Sequence, residues 1–264
     1  MRLLILVSSL LLFVSYGCVD LCEKTQLNPK HLKLLLSTKS CKKCNLVGAD
    51  LSNASLPNAD LRRSELGGAR LKGANLRGAD LTEANLYSYR SPSEITGCPG
   101  VYIGSDFTEA DLRGAKLVAA RLNRATMHEA LLSEANLSRS SLVEAELNQA
   151  KLDLANLSES ELVDATLKEA NLRGANLRGS NLVLANFYKA DLSYANLEGS
   201  KLSETNLNRA NLEGANLKGL DLTSTKLKGA NLRNANLKGA NMKDAILTDA
   251  NLKGAIMPDG TTHK

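Results

Sequence analysis

A five-residue phrase, Ala-(Asn/Asp)-Leu-X-X, repeats over most of this chain, for example as ANLRG at residues 74–78 and ANLRN at residues 230–234. The central residue recurs at every fifth position from 46 to 86 and from 107 to 257, and 35 of these 40 centres are Leu. One large and one small apolar residue in every five fits neither a helix nor an alternating strand. A repeat this short cannot bury its apolar side alone, so the chain must stack its repeats as a solenoid.

A second period of 20 residues lies over the period of five. Two residues before the centre, Ser replaces Ala at this spacing, and three of these serines are followed by Val three residues later: Ser140, Ser160, Ser180 and Ser200, then Val143, Val163 and Val183. We therefore predict four repeats per coil, with the hydroxyls and the valines stacked in ladders. Asn or Asp before the Leu, and the frequent Gly two residues after it, suit tight turns.

The phrase resembles the pentapeptide-repeat family over residues 45–258. The resemblance implies an all-β fold, a right-handed quadrilateral parallel β-helix with the centre and the Ala position facing inward. Family members differ in function, so the resemblance implies the fold more strongly than the activity. The pattern divides the rest of the chain around two repeat blocks, in the order 1–17, 18–44, 45–86 (first block), 87–104 (insertion), 105–258 (second block) and 259–264 (tail).

Residues 1–17 have the pattern of a signal peptide, with a basic start, an apolar run at 3–14 and a small-X-small end. The run is shorter than a helix that spans a bilayer; a buried N-terminal helix is the alternative. The following Cys18 resembles the acylated cysteine of bacterial lipoproteins, although Ser15 and Tyr16 depart from the residues usual before it. We expect export to the periplasm or cell envelope, and leave acylation of Cys18 open.

Residues 18–44 contain a predicted cap and most of the cysteines. Asn28-Pro29 is typical of a helix start, and the apolar side of the short helix that follows would cover the strand edges of the first coil. Apart from Cys18, the cysteines form an even set suited to disulfides: Cys22, Cys41, Cys44 and Cys98. The repeat register points Cys41 and Cys44 inward, which favours a structural disulfide or buried thiols. Half a zinc site and a redox pair are the alternatives, but no second cysteine pair has regular spacing, so we expect no metal or cofactor.

The candidate partner surfaces lie where the phrase fails. Leu86 and Phe107 are 21 residues apart, one more than a whole coil, and the insertion between them is either a binding loop or a structural insertion that restarts a coil out of phase. A ladder of Val on one face is a second candidate surface, although Val also suits any strand. The candidate residues are Tyr87, Tyr89, Tyr102, Val143, Val163 and Val183.

Charge and motifs narrow the function. The formal net charge is +5, and removing the single cation of residues 1–17 leaves +4 for residues 18–264. No phosphate loop, nucleophile elbow or His near paired carboxylates is present, so we expect no catalysis. We predict a non-catalytic exported scaffold that binds an unknown protein or an envelope surface, with membrane contact only through Cys18. The alternatives are a DNA mimic that binds topoisomerase, which the positive charge disfavours, and a metal or redox protein using Cys41 and Cys44. Nucleic acid is disfavoured as a partner, because aromatic residues are absent among the late lysines.

Overall fold

The computed structural model describes residues 27–87 and 104–264, which form one helix and a four-sided coil. Parallel β-bridges join residues 20 apart, as between Asn136 and Asn156 and then between Asn156 and Asn176. Each bridge involves the residue before the centre, and within the described ranges no run of bridged residues is long enough to form a strand. Four bridges per coil confirm four repeats per coil and the stacking of residues 20 apart.

Each side of the coil ends in a β-turn. In a typical turn the N–H of Ala59 donates to the carbonyl of Leu56 (3.2 Å), and Asn58, the third turn residue, has φ 58°. Positive φ at the third position, with Pro57 at the second, is the signature of a type II turn. The chain therefore changes direction at every repeat, which gives the coil its four sides.

The left-handed backbone at the corners is more general than glycine usage indicates. Apart from the helix end at Lys39 and the tail at Gly260, all residues with positive φ take the third turn position, and 26 of these 39 are not Gly. An L-residue in this region is disfavoured by roughly 1–2 kcal/mol. The conformation must therefore be held by contacts outside the turn.

Backbone hydrogen bonds between coils provide those contacts. Three N–H groups per repeat donate to a neighbouring coil: Leu46 to the carbonyl of Glu65 (2.7 Å), Gly48 to that of Gly67 (3.0 Å), and Glu65 to that of Cys44 (2.8 Å). The Gly48 bond is made by the corner residue itself. Each corner is thus fixed by the next coil as well as by its own turn.

The core contains the centre and the Ala position, as the repeat predicts. Almost all Leu centres are fully buried, together with Phe107, Met127 and Phe187 and the small residues between them. In the last coil Met242 and Leu252 are only half-buried. One continuous apolar column therefore extends through the coils, and it becomes partly exposed in the last one.

The polar ladders follow the 20-residue period but differ in their bonding. The buried serines stack in register, yet each hydroxyl donates to the carbonyl of its own turn, as from Ser160 to Leu157 (2.5 Å). The expected ladder is therefore one of position only. Hydrogen bonds between side chains form instead before the centre, where the amides of Asn156 and Asn176 donate to Asn136 (3.3 Å) and Asn156 (3.1 Å).

Helix α1, Pro29–Thr38, covers the first coil, which confirms the predicted cap. The side-chain oxygen of Asn28 accepts from the N–H of Lys30 (3.0 Å), and Leu35 is fully buried in the core. The ring nitrogen Nδ1 of His31 accepts from the N–H of Asn45 (2.9 Å). Both apolar packing and a polar contact therefore attach α1 to the coil.

The insertion leaves the coil in phase, so the expected restart out of phase is wrong. Arg70 is bridged to Asp106, 36 residues later, as Asn85 is to Arg121. A spacing of 36 is one coil of 20 plus 16 additional residues, so Phe107 takes the side that directly follows the side of Leu86. The hydroxyl of Ser105 donates to the carbonyls of Leu66 (2.9 Å) and Leu86 (2.7 Å), which fixes the chain where the repeat resumes.

At the other end the tail folds back on one side only. Thr262 forms an antiparallel bridge to Ile256, and the N–H of Met257 donates to the carbonyl of Thr261 (2.7 Å). This reversal begins at Pro258, where the sequence predicts that the rhythm ends. The tail therefore pairs with one side of the last coil.

Candidate interaction surfaces

The three valines form one vertical row, which we call the Val column: Val143, Val163 and Val183. Their carbonyls accept from the corner N–H groups of the coil below, as Val163 does from Glu144 (2.9 Å). The valine side chains are half-buried, and the neighbouring Leu184 is 46% exposed. The row and its outward direction agree with the sequence; its use by a partner stays a prediction.

A second apolar feature, missed by the sequence analysis, lies on another corner. Leu154 is 62% exposed and Tyr194 is 56% exposed, and both belong to one vertical row with Gly174 and Gly214 between and above them. A Cβ atom on Gly174 would lie 2.9 Å from Leu154 Cδ2, and one on Gly214 would lie 2.8 Å from the Tyr194 ring. We call these four residues the Leu–Tyr corner. Folding the sequence at 20 residues reveals the alternation of large residues and Gly.

Arg173 adds charge to the Leu–Tyr corner. Its guanidinium carbon lies 5.1 Å from the centre of the Tyr194 ring, within the range of a cation–π contact. This contact and the glycine below the ring restrict the orientations of Tyr194. The corner therefore presents an ordered aromatic side chain on a rigid backbone.

The tyrosines of the insertion separate into one described residue and two others. Tyr87 is half-buried, and the guanidinium carbon of Arg121 lies 5.7 Å from the centre of its ring. Tyr89 and Tyr102 lie outside the described residues. So do three of the cysteines, Cys18, Cys22 and Cys98.

Cys41 and Cys44 point inward, in agreement with the repeat register. Both are buried, and in the structure they are joined by a disulfide with their Cα atoms 5.4 Å apart. Sγ of Cys41 also contacts the carbonyl oxygen of His31 (3.2 Å). The pair therefore links the first coil to the base of α1. Residues 27–87 and 104–264 contain no cluster of three or more His, Cys, Asp or Glu placed to hold a metal ion.

The charged side chains pair along and between coils. Arg70 bonds Asp50 of the coil below (2.8 Å), and Arg113 bonds Asp111 of its own repeat (2.6 Å). Hydrogen bonds from these guanidinium groups are the main reason that the pKa values of Asp50 and Asp111 lie below their usual range. Exposed pairs of this kind contribute little stability each. Their effect on chemistry is to keep the carboxylates ionised, which is the opposite of what a general acid requires.

No described helix, in either range, has the length and apolar character needed to cross a membrane.

Comparison with known proteins gives a consistent result. The family description "Pentapeptide repeats" matches in eight copies at residues 44–82, 64–88, 105–142, 120–158, 130–168, 160–199, 185–229 and 226–258. Among solved structures, the chain is 35% identical to HetL, a pentapeptide repeat protein involved in heterocyst differentiation regulation from the cyanobacterium Nostoc sp. strain PCC 7120; the match covers 90% of this chain and all of HetL, with a TM-score of 0.43.

Two further structures are similar over part of the chain. QnrB1, a plasmid-mediated fluoroquinolone resistance protein, is 18% identical over 70% of this chain and 88% of its own, with a TM-score of 0.59. A pentapeptide repeat protein from the Arabidopsis thaliana thylakoid lumen is 31% identical over 38% of this chain and 66% of its own, with a TM-score of 0.30. Among curated proteins no sequence match was found.

Proposed function

The chain belongs to the pentapeptide-repeat family, and from this premise we propose that it is an exported, non-catalytic scaffold that binds a protein or a surface of the bacterial cell envelope. The observation that carries the proposal is the division of labour within each repeat. Inward positions are used for stacking, while large apolar side chains stand exposed on the corners, above all Leu154, Leu184 and Tyr194. We also propose the right-handed coil that the family resemblance implies.

The corner residues are suited to recognition because their backbone is held by the neighbouring coils. A rigid backbone lowers the entropy cost of binding, since few side chains must be ordered when the partner arrives. Tyr is among the residues enriched at protein interfaces, and Arg often accompanies it. Tyr194 with Arg173 above it is therefore our first candidate for an anchor residue.

Two features support export. Residues 1–17 have the composition of a signal peptide. A disulfide between Cys41 and Cys44 suits an oxidising compartment and would be rare in a reducing cytosol. Cys18 follows the predicted cleavage site, so an acylated form anchored to the membrane belongs to the same proposal.

The alternative of DNA mimicry is disfavoured by charge. The likeness to QnrB1, at 18% identity, concerns the fold. Removing the one cation of residues 1–17 from the total of +5 leaves a net charge of +4 for residues 18–264. A mimic of duplex DNA needs a strongly negative surface to compete for a cationic groove. We therefore retain the envelope scaffold as the proposed function.

Fractionation of a bacterium that expresses the full chain tests this proposal. We expect the protein in the envelope or periplasm, with an intact mass that begins at Cys18, either bare or carrying acyl chains. Protein confined to the cytoplasm with Met1 retained would contradict export. Substitution of Cys18 by Ser is the matched variant, because it removes an acyl anchor while leaving the predicted signal peptide in place.

A further inference from the structure

Helix α1 covers the first coil but leaves an apolar side of its own in solvent. It inserts Leu35 into the core, whereas Leu34 is 44% exposed and Leu36 is 55% exposed. Leu36 also lines a cavity of about 460 Å³ with Pro29, Leu32, Lys33 and Ser37. The end of the rod therefore has an open apolar hollow on the side facing away from the coils.

Around this hollow all formal charge is positive. We call residues 27–49 the cap; it contains five lysines and no Asp or Glu: Lys30, Lys33, Lys39, Lys42 and Lys43. All five are exposed, and none forms an ion pair within the described part of the chain. Lys42 lies near enough to Asp60 and Glu83 to lower the pKa values of both carboxyls, although each is bonded more closely by an arginine. The other four lysines face no such neighbours.

We propose that the cap is a docking surface for an anionic lipid bilayer. Exposed Leu side chains beside a one-signed ring of Lys combine the two contacts that a bilayer surface offers, apolar contact at the acyl boundary and attraction to anionic headgroups. The cap contains no aromatic residue on which nucleic acid bases could stack. In this arrangement the rod stands with its α1 end on the membrane and its corners directed away from it.

This surface differs from the sequence-based expectation that membrane contact would come through Cys18 alone. The proposal rests on α1 and its lysines, not on export or acylation. Vesicle binding and cell fractionation can therefore fail separately. Failure in the vesicle experiment would leave the envelope scaffold intact, and a cytoplasmic location would leave the lipid surface intact.

Vesicle co-sedimentation of the full chain tests the proposal. Vesicles are made either from phosphatidylcholine alone or from an equimolar mixture with phosphatidylglycerol. Because the apolar run at residues 3–14 can bind either kind, the quantity measured is the ratio of anionic to neutral partitioning. We expect this ratio to exceed one and to fall as salt is added. A ratio of one at low salt would overturn the proposal.

Two pairs of variants locate the binding surface. Lys30→Gln with Lys33→Gln should lower anionic partitioning by roughly fivefold per lysine. The control, Lys226→Gln with Lys228→Gln, removes the same charge from an exposed site remote from α1 and should have little effect. Equal losses in the two double variants would show non-specific attraction and would contradict a surface at the cap.

Leu36→Ser tests the apolar contact, with Leu154→Ser as its control on a different exposed surface. Leu36→Ser should weaken vesicle binding, whereas Leu154→Ser should not. If Leu36→Ser instead converts a dimer into a monomer in size-exclusion chromatography and leaves vesicle binding unchanged, the occupant of the hollow is a second copy of the chain and the lipid proposal is wrong.

Discussion

Deleting one central Leu from the middle of the rod should cost far more stability than deleting its equivalent from the last coil. Leu152 and Leu252 occupy the same repeat position on the same side of the coil, five coils apart. Leu152 is fully buried, and Leu252 is half-buried. Leu→Ala removes three carbon atoms, worth about 2.4 kcal/mol at roughly 0.8 kcal/mol for each.

The cavity left at position 152 adds to that loss because its walls cannot approach one another. The N–H of Leu152 donates to the carbonyl of Asn171 (2.6 Å), and the N–H of Lys151 donates to that of Ala130 (2.9 Å), so the coils above and below are fixed by backbone bonds. We therefore expect Leu152→Ala to lower the free energy of unfolding by about 3–5 kcal/mol. For Leu252→Ala, where solvent already reaches the side chain, we expect about 1 kcal/mol.

Urea unfolding followed by far-ultraviolet circular dichroism measures the difference, since the chain has no Trp for fluorescence. Leu154→Ala is the control: the residue lies two positions from Leu152 but is mostly exposed, and its loss should be within about 0.5 kcal/mol. Equal losses at 152 and 252, or a loss below about 1 kcal/mol at 152, would refute a core that depends on rigid stacking between coils.

Three further outcomes follow from local geometry. Because the guanidinium beside it lowers the pKa of Asp111, the stability from this pair is present above the unfolded pKa and lost as pH falls through the folded pKa; Asp111→Asn should reduce the acid sensitivity of the urea midpoint. Gly67→Ala should cost about 2 kcal/mol, because its Cβ would lie 2.6 Å from a backbone oxygen, against about 1 kcal/mol for Gly48→Ala, where only the positive φ opposes a side chain; thermal unfolding gives the order. Cys41 and Cys44 should resist alkylation in the unreduced, denatured protein, and reduction should cost about 2 kcal/mol or less because the closed loop is short; peptide mass and the urea midpoint check both.

The sequence predicts the coil well because one rule generates it. The substitution of Ser at 140, 160, 180 and 200 contains the number of repeats per coil, and the register alone directs Cys41 and Cys44 inward. Asn28-Pro29 likewise predicts the start of α1 from local capping chemistry. These features depend on residues close in sequence or on a fixed spacing, which a single chain displays directly.

The features that were missed depend on which residues meet across coils. The 21 residues between Leu86 and Phe107 resemble a coil plus one, but five of them are the normal step to the next side, and only the remaining 16 are additional. Leu154 and Tyr194 are exposed on their corner with glycine in the next coil making room beside them, which no local pattern reveals. The apolar hollow beside Leu36 likewise depends on which helix side the coil leaves uncovered.

The positive φ angles at the corners have a consequence for chirality. A D-amino acid adopts at no steric cost the backbone that an L-residue adopts only under constraint. Ala119, with φ 54°, is a corner residue whose mirror-image form would favour the folded turn. The corners of this rod therefore have the local handedness of D-residues, built almost everywhere from L-residues or glycine. A single coil cut from the rod would lose the neighbours that impose this handedness, and its corners would relax to right-handed backbone.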